Sequence, residues 1–256
     1  MARLKPVAHE DQLSLVDHLE ELRSRVFVAL GALVPALVLC GWQNGLIIDI
    51  LNRPLPEGQE PITLSPTEPF LTTATLVVYA ALLITLPLLL YQIYAFVLPA
   101  FSKDERRVAL PLMLTAPTLF VAGVLFAYFV ILPPAITVLL GFNADEFNTQ
   151  LRAREYYSFA SLTLISLGIL FQVPIAVLAA VRLGVVTTAQ LRSGRRYAIL
   201  GIAVLAALLP TIDPVTMILE MIPLIVLYEI SILVARAFEH PPDEAADQPP
   251  AQFEGS

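Results

Sequence analysis

Long apolar runs, separated by short charged segments, dominate the pattern of this 256-residue chain. Four windows contain no Asp, Glu, Lys, Arg or His and are longer than the roughly 20 residues with which a helix crosses a bilayer. They cover residues 26–48, 69–102, 108–144 and 156–181. The pattern therefore predicts at least four membrane-spanning helices.

The pattern after residue 196 is less regular. Residues 197–212 form an uncharged run of only sixteen, which as a helix would reach about 24 Å, less than the roughly 30 Å of a hydrocarbon core. Residues 214–235 continue the apolar run but include Glu220 and Glu229. Their nine-residue spacing places the two acids on opposite helix faces, so they do not form a proton relay by themselves. A re-entrant hairpin and two short spans both fit, and we favour two spans.

The predicted fold is an all-α integral membrane protein with six transmembrane helices, kinked by prolines inside the spans. Its composition agrees, because 57% of the residues are hydrophobic and only 14% are charged, against roughly one quarter charged in soluble domains. Residues 1–25 are expected to form an amphipathic cytoplasmic segment, 26–236 the membrane domain, and 237–256 a disordered cytoplasmic tail. The spans are expected at about 26–48, 72–98, 108–132, 157–181, 197–211 and 215–235.

Positive charges are distributed unevenly across this topology. With a cytoplasmic N-terminus, twelve of the 15 Lys and Arg residues lie inside, and the outside segments contain the other three: Arg53, Arg152 and Arg154. Positive charges accumulate on the cytoplasmic side of membrane proteins. The distribution predicts a multi-pass protein of the cell membrane with both termini in the cytoplasm.

Residues suited to enzyme chemistry are scarce within the spans. The three histidines all lie in the predicted cytoplasmic ends: His9, His18 and His240. No span therefore offers a zinc site, a haem ligand or a Ser–His pair, and no glycine-rich phosphate loop occurs. The lone Cys40 is expected to be a packed thiol. We expect no enzyme activity, cofactor, metal or nucleic-acid partner.

Charged residues cluster at the predicted cytoplasmic rim. In "SLVDHLEELRSRVFVAL", apolar residues recur at helical spacing, and Glu21 lies four residues before Arg25. This spacing favours a salt bridge on a solvated helix face. A second cluster, "FSKDERR" at 101–107, joins the second and third spans, where its basic residues would fix topology.

Several motifs resemble one family of membrane proteins. In chain order they are "HLEELRSR", "SPTEPF", "LYQIYAFVLPAFSKDERR", "FQVPIAVL" and "LRSGRRYAI". Together they closely resemble the TatC family, the large multispanning subunit of the twin-arginine protein translocase, from about residue 15 to residue 236. The resemblance implies six helices around a concave face, cytoplasmic termini, and recognition of folded cargo whose signal peptide has paired arginines. It also implies assembly with the single-span partners TatA and TatB, a homo-oligomer within a larger complex, and transport driven by the proton-motive force.

The resemblance also implies roles for individual residues. Glu105 matches the principal contact for the twin arginines, and Glu21, with Arg23 beside it, matches the acidic N-terminal position. Phe96 and Pro99 match positions at the end of the second span that would receive the apolar part of the signal.

Four further positions are implied to contact partner subunits. Pro54 and Phe70 match positions in a proline-rich outer loop, and Asp213 matches an acid between the last two spans. A helix-capping carboxylate ahead of Pro214 explains Asp213 equally well. Gln172 stands where many members of the family have Glu. Because a buried amide needs a hydrogen-bond partner, we expect one either inside this chain or on a partner helix.

Two other functions stay open at this point. A secondary transporter of small molecules would also use kinked spans with a polar group at midplane, but should show paired halves, and no internal repeat is evident. A structural membrane scaffold would explain the spans but not the acids at the rim.

Overall fold

The computed structural model describes residues 9–97, 103–142, 144, 146, 150–182, 184–208 and 214–237. Side chains are described for residues 19–96, 114–142, 144, 146, 150–182, 184–208 and 214–236. Pro99, Asp213 and the predicted tail beyond Ala237 lie outside the described residues. Glu105 lies within a described helix, but its side chain is outside this description.

The described part of the chain is almost entirely helical, which confirms the predicted all-α class. It contains α1 (His9–Trp42), α2 (Asn44–Asn52), α3 (Glu68–Val97), α4 (Lys103–Phe126), α5 (Leu132–Gly141), α6 (Ala153–Leu170), α7 (Val173–Arg182), α8 (Thr188–Ser193), α9 (Arg195–Leu208) and α10 (Pro214–Ala237). A π-helical segment, Ala127–Ile131, joins α4 to α5.

Five helical stretches within the described residues are long and apolar enough to cross a membrane. They are Leu19–Trp42, Glu68–Phe96, Leu114–Gly141, Ala153–Arg182 and Pro214–Arg236. The multi-pass membrane character predicted from the sequence is therefore confirmed. Helix α9, which occupies the predicted fifth span, has 14 residues, or about 21 Å of helix.

Each long helix packs against one or more of the others, and α1 and α9 each pack mainly against a single long helix. Helix α1 packs on α3, α3 on α4 and α6, α4 on α6, α7 on α10, and α10 on α9. The largest buried cluster joins α3, α6, α5 and the π-helical segment around Leu76, Ile131 and Leu167. Helices α1 and α9 lie at the ends of this packing order and expose many apolar side chains, as surfaces facing lipid do.

Two glycines let α4 and α6 approach closely. A Cβ atom at Gly168 would lie 2.6 Å from the ring of Phe120, and one at Gly123 would lie 2.7 Å from the ring of Phe171. Small residues at crossing points are a common way to pack membrane helices. This crossing places the end of α6, and the residues that follow it, against the C-terminal half of α4.

The π-helical segment has a local cause in two consecutive prolines. Pro133 and Pro134 have no N–H group, so the carbonyls four residues before each cannot receive an α-helical bond. Each proline ring also crowds the carbonyl four residues before it. In the turn before the prolines, the N–H of Leu132 bonds to the carbonyl of Ala127, five residues back, which is the π-helical pattern. The third span therefore continues to Gly141 without ending at the prolines.

A second irregularity interrupts the fourth span. Helix α6 ends at Leu170, α7 begins at Val173, and Phe171 and Gln172 form a turn between them. Pro174 cannot donate to the carbonyl of Leu170, which explains why the α-helix stops there. Gln172 thus lies at a break in the span.

Candidate functional site

A polar cluster joins α1 to the last turns of α3. The Arg25 Nε donates to Oε1 of Glu21 over 3.0 Å, so the salt bridge predicted from their spacing is present. The Arg25 Nη1 donates to Oε1 of Gln92 over 3.0 Å, and Nη2 lies 3.4 Å from the carbonyl oxygen of Ala95. We call Glu21, Arg25, Gln92 and Ala95 the Arg25 cluster.

Two predicted signal-binding residues lie next to this cluster in the chain. Phe96 directly follows Ala95 in the last turn of α3 and is half-buried. Arg23 is exposed, and its guanidinium lies 5.6 Å from the centre of the Phe27 ring, within the range of a cation–π contact. Glu105 is the third residue of α4, the next helix along the chain. Sequence reasoning named Glu21, Arg23 and Phe96 but missed the link that Arg25 makes to α3.

A second polar cluster lies at the opposite end of α3. Glu68 is the first residue of this helix, 24 residues before Gln92, or about 36 Å along the helix axis. Its carboxylate accepts hydrogen bonds from Arg152 Nε over 2.7 Å and from the backbone N–H of Leu64 over 2.9 Å. The hydrogen bond to Glu68 and the negative charge of its carboxylate raise the pKa of the Arg152 guanidinium, so Arg152 stays positively charged.

Backbone hydrogen bonds reinforce this second cluster. The N–H of Ile62 donates to the carbonyl of Leu151, and the N–H of Ala153 donates to the carbonyl of Ile62, both over 2.8 Å. The segment before α3 is thereby joined to the segment before α6. We call Ile62, Leu64, Glu68, Leu151 and Arg152 the Glu68 clasp.

Two charged residues in the sequence could have indicated the Glu68 clasp. Arg152 is one of the three basic residues on the predicted outer side, where positive charge is unusual. Glu68 directly precedes an apolar window, within the "SPTEPF" motif. Two charges that are each unexpected at the edge of the membrane are candidates for pairing with each other.

The predicted outer residues Pro54 and Phe70 lie at this same end of the protein. Three tyrosine hydroxyls donate to the last turn of α2: Tyr128 to the Ile50 carbonyl over 2.7 Å, Tyr156 to the Leu51 carbonyl, and Tyr157 to Asn52 Oδ1 over 2.9 Å. Pro54 follows this turn and is half-buried, whereas Phe70, in the first turn of α3, is 76% exposed. The clasp and the tyrosines thus fix the ends of the loop that joins α2 to α3.

Gln172 is buried at the break between α6 and α7, with 7% of its surface exposed. Its Nε2 lies 3.3 Å from the carbonyl of Ala116 in α4 and 3.4 Å from that of Gly168. Because carbonyls only accept, the nitrogen must be the atom that faces them. The amide oxygen is buried and has no hydrogen-bond partner among the described residues.

The two acids of α10 lie in different environments, as their spacing predicts. Glu220 is fully buried, whereas Glu229 is 42% exposed and pairs with Arg195 of α9 over 2.8 Å. Within the described part of the chain, no group of three His, Cys, Asp or Glu side chains could hold a metal ion.

Comparison with known proteins identifies the family. The family model described as Sec-independent protein translocase protein (TatC) matches residues 17–223. The TatC protein of Magnetococcus marinus is 35% identical over 234 residues, which cover 90% of this chain and 86% of that protein. The TatC protein of Deinococcus radiodurans is 33% identical over 255 residues, covering 96% and 94%.

A solved structure gives the same result. The crystal structure of the twin arginine translocase receptor TatC in DDM superposes with a TM-score of 0.75 and 35% sequence identity, covering 85% of this chain and 99% of that one. The resemblance of the five motifs is therefore confirmed over most of the chain. This chain belongs to the TatC family of Sec-independent protein translocase subunits.

Proposed function

We propose that this protein is the receptor subunit of a twin-arginine translocase and binds signal peptides with paired arginines at the end of the molecule that carries the Arg25 cluster. The observation that carries the proposal is the accessible carboxylate of Glu21, with its side chain 36% exposed, on a helix tied to the last turns of α3 beside Phe96. Family membership favours this function over a small-molecule transporter or a structural scaffold.

The chemistry of the ligand suits acids in these positions. A guanidinium can donate two parallel hydrogen bonds to the two oxygens of one carboxylate. A lysine ammonium cannot reproduce that geometry. Glu21 on α1 and Glu105 in the first turn of α4 would supply one carboxylate for each arginine. The same surface would be lined by Arg23, Phe96 and Pro99. The rings of Phe96 and Pro99 would contact the apolar part of the signal.

Affinity measurements test this assignment directly. We expect Glu105→Ala and Glu21→Ala each to weaken binding of a twin-arginine peptide by more than about fivefold, the upper end for an exposed ion pair. Glu20→Ala is the matched control, because Glu20 is an exposed acid on the same turn of α1. A peptide with paired lysines should bind all four proteins equally weakly. Unchanged binding by both acid variants would show that this surface does not bind the paired arginines.

The proposed topology has six spans with both termini in the cytoplasm of a cell-membrane protein. The charge distribution supports it, as does the pairing of the short α9 with α10. A helix of about 21 Å crosses the membrane only where the bilayer thins. Cysteines introduced at positions 60 and 148 should label from outside, and those at 103 and 193 should be protected. Labelling of position 193 from outside would contradict six spans.

We further propose that TatA-type and TatB-type single-span subunits dock on a concave face that includes Gln172, in a homo-oligomeric complex driven by the proton-motive force. The buried amide oxygen of Gln172, which lacks a partner among the described residues, supports this assignment. Pro54, Phe70 and Asp213 would contribute contacts at the outer end.

The role of Gln172 can be tested by crosslinking. Gln172→Leu should insert normally but reduce crosslinks between the fourth or fifth span and the TatA or TatB helix, because leucine offers no acceptor. Gln172→Glu should be tolerated, since a protonated carboxyl group also donates and accepts. Normal crosslinks and export in the leucine variant would show that the amide serves only this chain.

A further inference from the structure

We propose that Arg25 and Gln92 are positioning residues of the signal site, which hold the Glu21 carboxylate against the end of α3 so that it meets an arginine of the signal peptide beside Phe96. This inference rests on the proposed function and adds two residues to it. The binding surface is then assembled across two helices and does not belong to α1 alone.

Apolar packing cannot fix Glu21 by itself. The buried contacts between α1 and α3 centre on Ala36, Cys40 and Ala81, and Ala36 is 11 residues beyond Arg25, about 16 Å along the helix axis. At Glu21, α1 exposes most of its side chains. A polar contact close to Glu21 is therefore needed to set where the carboxylate lies.

Arg25 has the geometry for that tie. Its Nε and Nη2 atoms point to Oε1 of Glu21, while Nη1 donates to Gln92 over 3.0 Å. The planar guanidinium thus bonds to two helices at once, which the single ammonium of a lysine cannot do in the same geometry. The Arg25 side chain is only 23% exposed, so its orientation is restricted by its neighbours.

The amide of Gln92 suits this role because it is neutral. It accepts from Arg25 without offering a second carboxylate, which would compete with Glu21 for Arg25 and for the arginines of the ligand. The carbonyl of Ala95, about one turn further along α3, lies 3.4 Å from Nη2 of Arg25. Both acceptors belong to the last turns of α3, immediately before Phe96.

A double-mutant cycle tests the inference, with the affinity for a twin-arginine peptide and for its paired-lysine counterpart measured on full-length protein. Gln92→Leu removes the acceptor while keeping the volume, and we expect it to weaken arginine-peptide binding about three- to tenfold. Binding of the lysine peptide should not change, and the unfolding temperature should fall by no more than a few degrees. Gln150→Leu, an exposed position at the opposite end of the molecule, is the matched control.

The decisive comparison uses Glu21→Ala. If Gln92 acts by placing Glu21, the variant with both substitutions should bind the arginine peptide as Glu21→Ala does, because nothing remains to be positioned. Arg25→Lys should resemble Gln92→Leu, and Gln92→Asn, which has a shorter reach, should recover only part of the affinity. Additive losses would overturn the inference but leave Glu21 as a ligand contact. No loss in Glu21→Ala would overturn both this inference and the proposed role of Glu21.

Discussion

The Glu68 clasp and the Arg25 cluster use the same pair of residue types at opposite ends of α3, yet they differ in access to solvent. Glu68 is 4% exposed and is bonded by the Arg152 side chain and by a backbone N–H. Glu21 has 36% of its side chain exposed and is bonded by Arg25. A buried and satisfied carboxylate holds structure together, whereas an accessible one can exchange its partner for a ligand.

The physical difference lies in what each carboxylate loses when its partner is removed. A charge left unpaired in a buried site has no water to replace the lost bonds. A charge at an exposed site regains water, and its ion pair contributes little to stability. The clasp should therefore matter for folding, and the Arg25 cluster for binding.

The largest effect on stability is expected from Arg152→Ala. It leaves the buried Glu68 carboxylate without its guanidinium and frees the joined loops, so the unfolding temperature of the purified protein should fall by several degrees. Arg154→Ala, an exposed arginine two residues away, is the matched control and should have almost no effect. Equal unfolding temperatures for the two variants would show that the Glu68 clasp does not stabilise the fold.

A smaller loss is expected from Arg195→Ala. Its ion pair with Glu229 joins α9 to α10, but both side chains are more than 40% exposed. Pairs of this kind contribute about 0 to 1 kcal/mol. The unfolding temperature should move by only a few degrees, and the shift should shrink further in high salt because salt screens exposed charges. A salt-independent loss as large as that of Arg152→Ala would contradict the distinction by exposure.

The smallest effect on stability is expected from Glu21→Ala. An i,i+4 pair on a helix contributes about 0.2 to 0.5 kcal/mol, and Arg25 keeps its bonds to α3. The unfolding temperature should stay within about 2 °C of the parent value. The same variant is expected to lose peptide affinity strongly. Substitution in the Glu68 clasp should thus lower stability most, and substitution in the Arg25 cluster should lower peptide binding most. A large fall in unfolding temperature would show that Glu21 is structural.

The sequence predicted the helices better than the contacts between them. Charge-free windows identified α1, α3, the α4–α5 span and the α6–α7 span, because lipid requires continuous apolar helix. The i,i+4 spacing of Glu21 and Arg25 predicted their ion pair. Prolines inside the spans were expected to kink them, but the interruption at Gln172 was not predicted. These features depend on residues that are close in the chain.

The remaining features depend on residues that are far apart. Arg25 and Gln92 are 67 positions apart, and Glu68 and Arg152 are 84 apart. No local pattern specifies which of several polar residues at the membrane edge will meet. The π-helical segment was also missed, because paired prolines are equally compatible with a helix end.

Photocrosslinking from the two ends of α3 shows which end binds the paired arginines of the signal. A photoreactive amino acid replaces Phe96 in one variant and Phe70 in the other, and each protein is illuminated in membranes with a labelled twin-arginine signal peptide. We expect crosslinks at position 96 that disappear when the paired arginines become lysines, and none above background at position 70. Crosslinks at position 70 that depend on the arginine pair, with none at position 96, would contradict it.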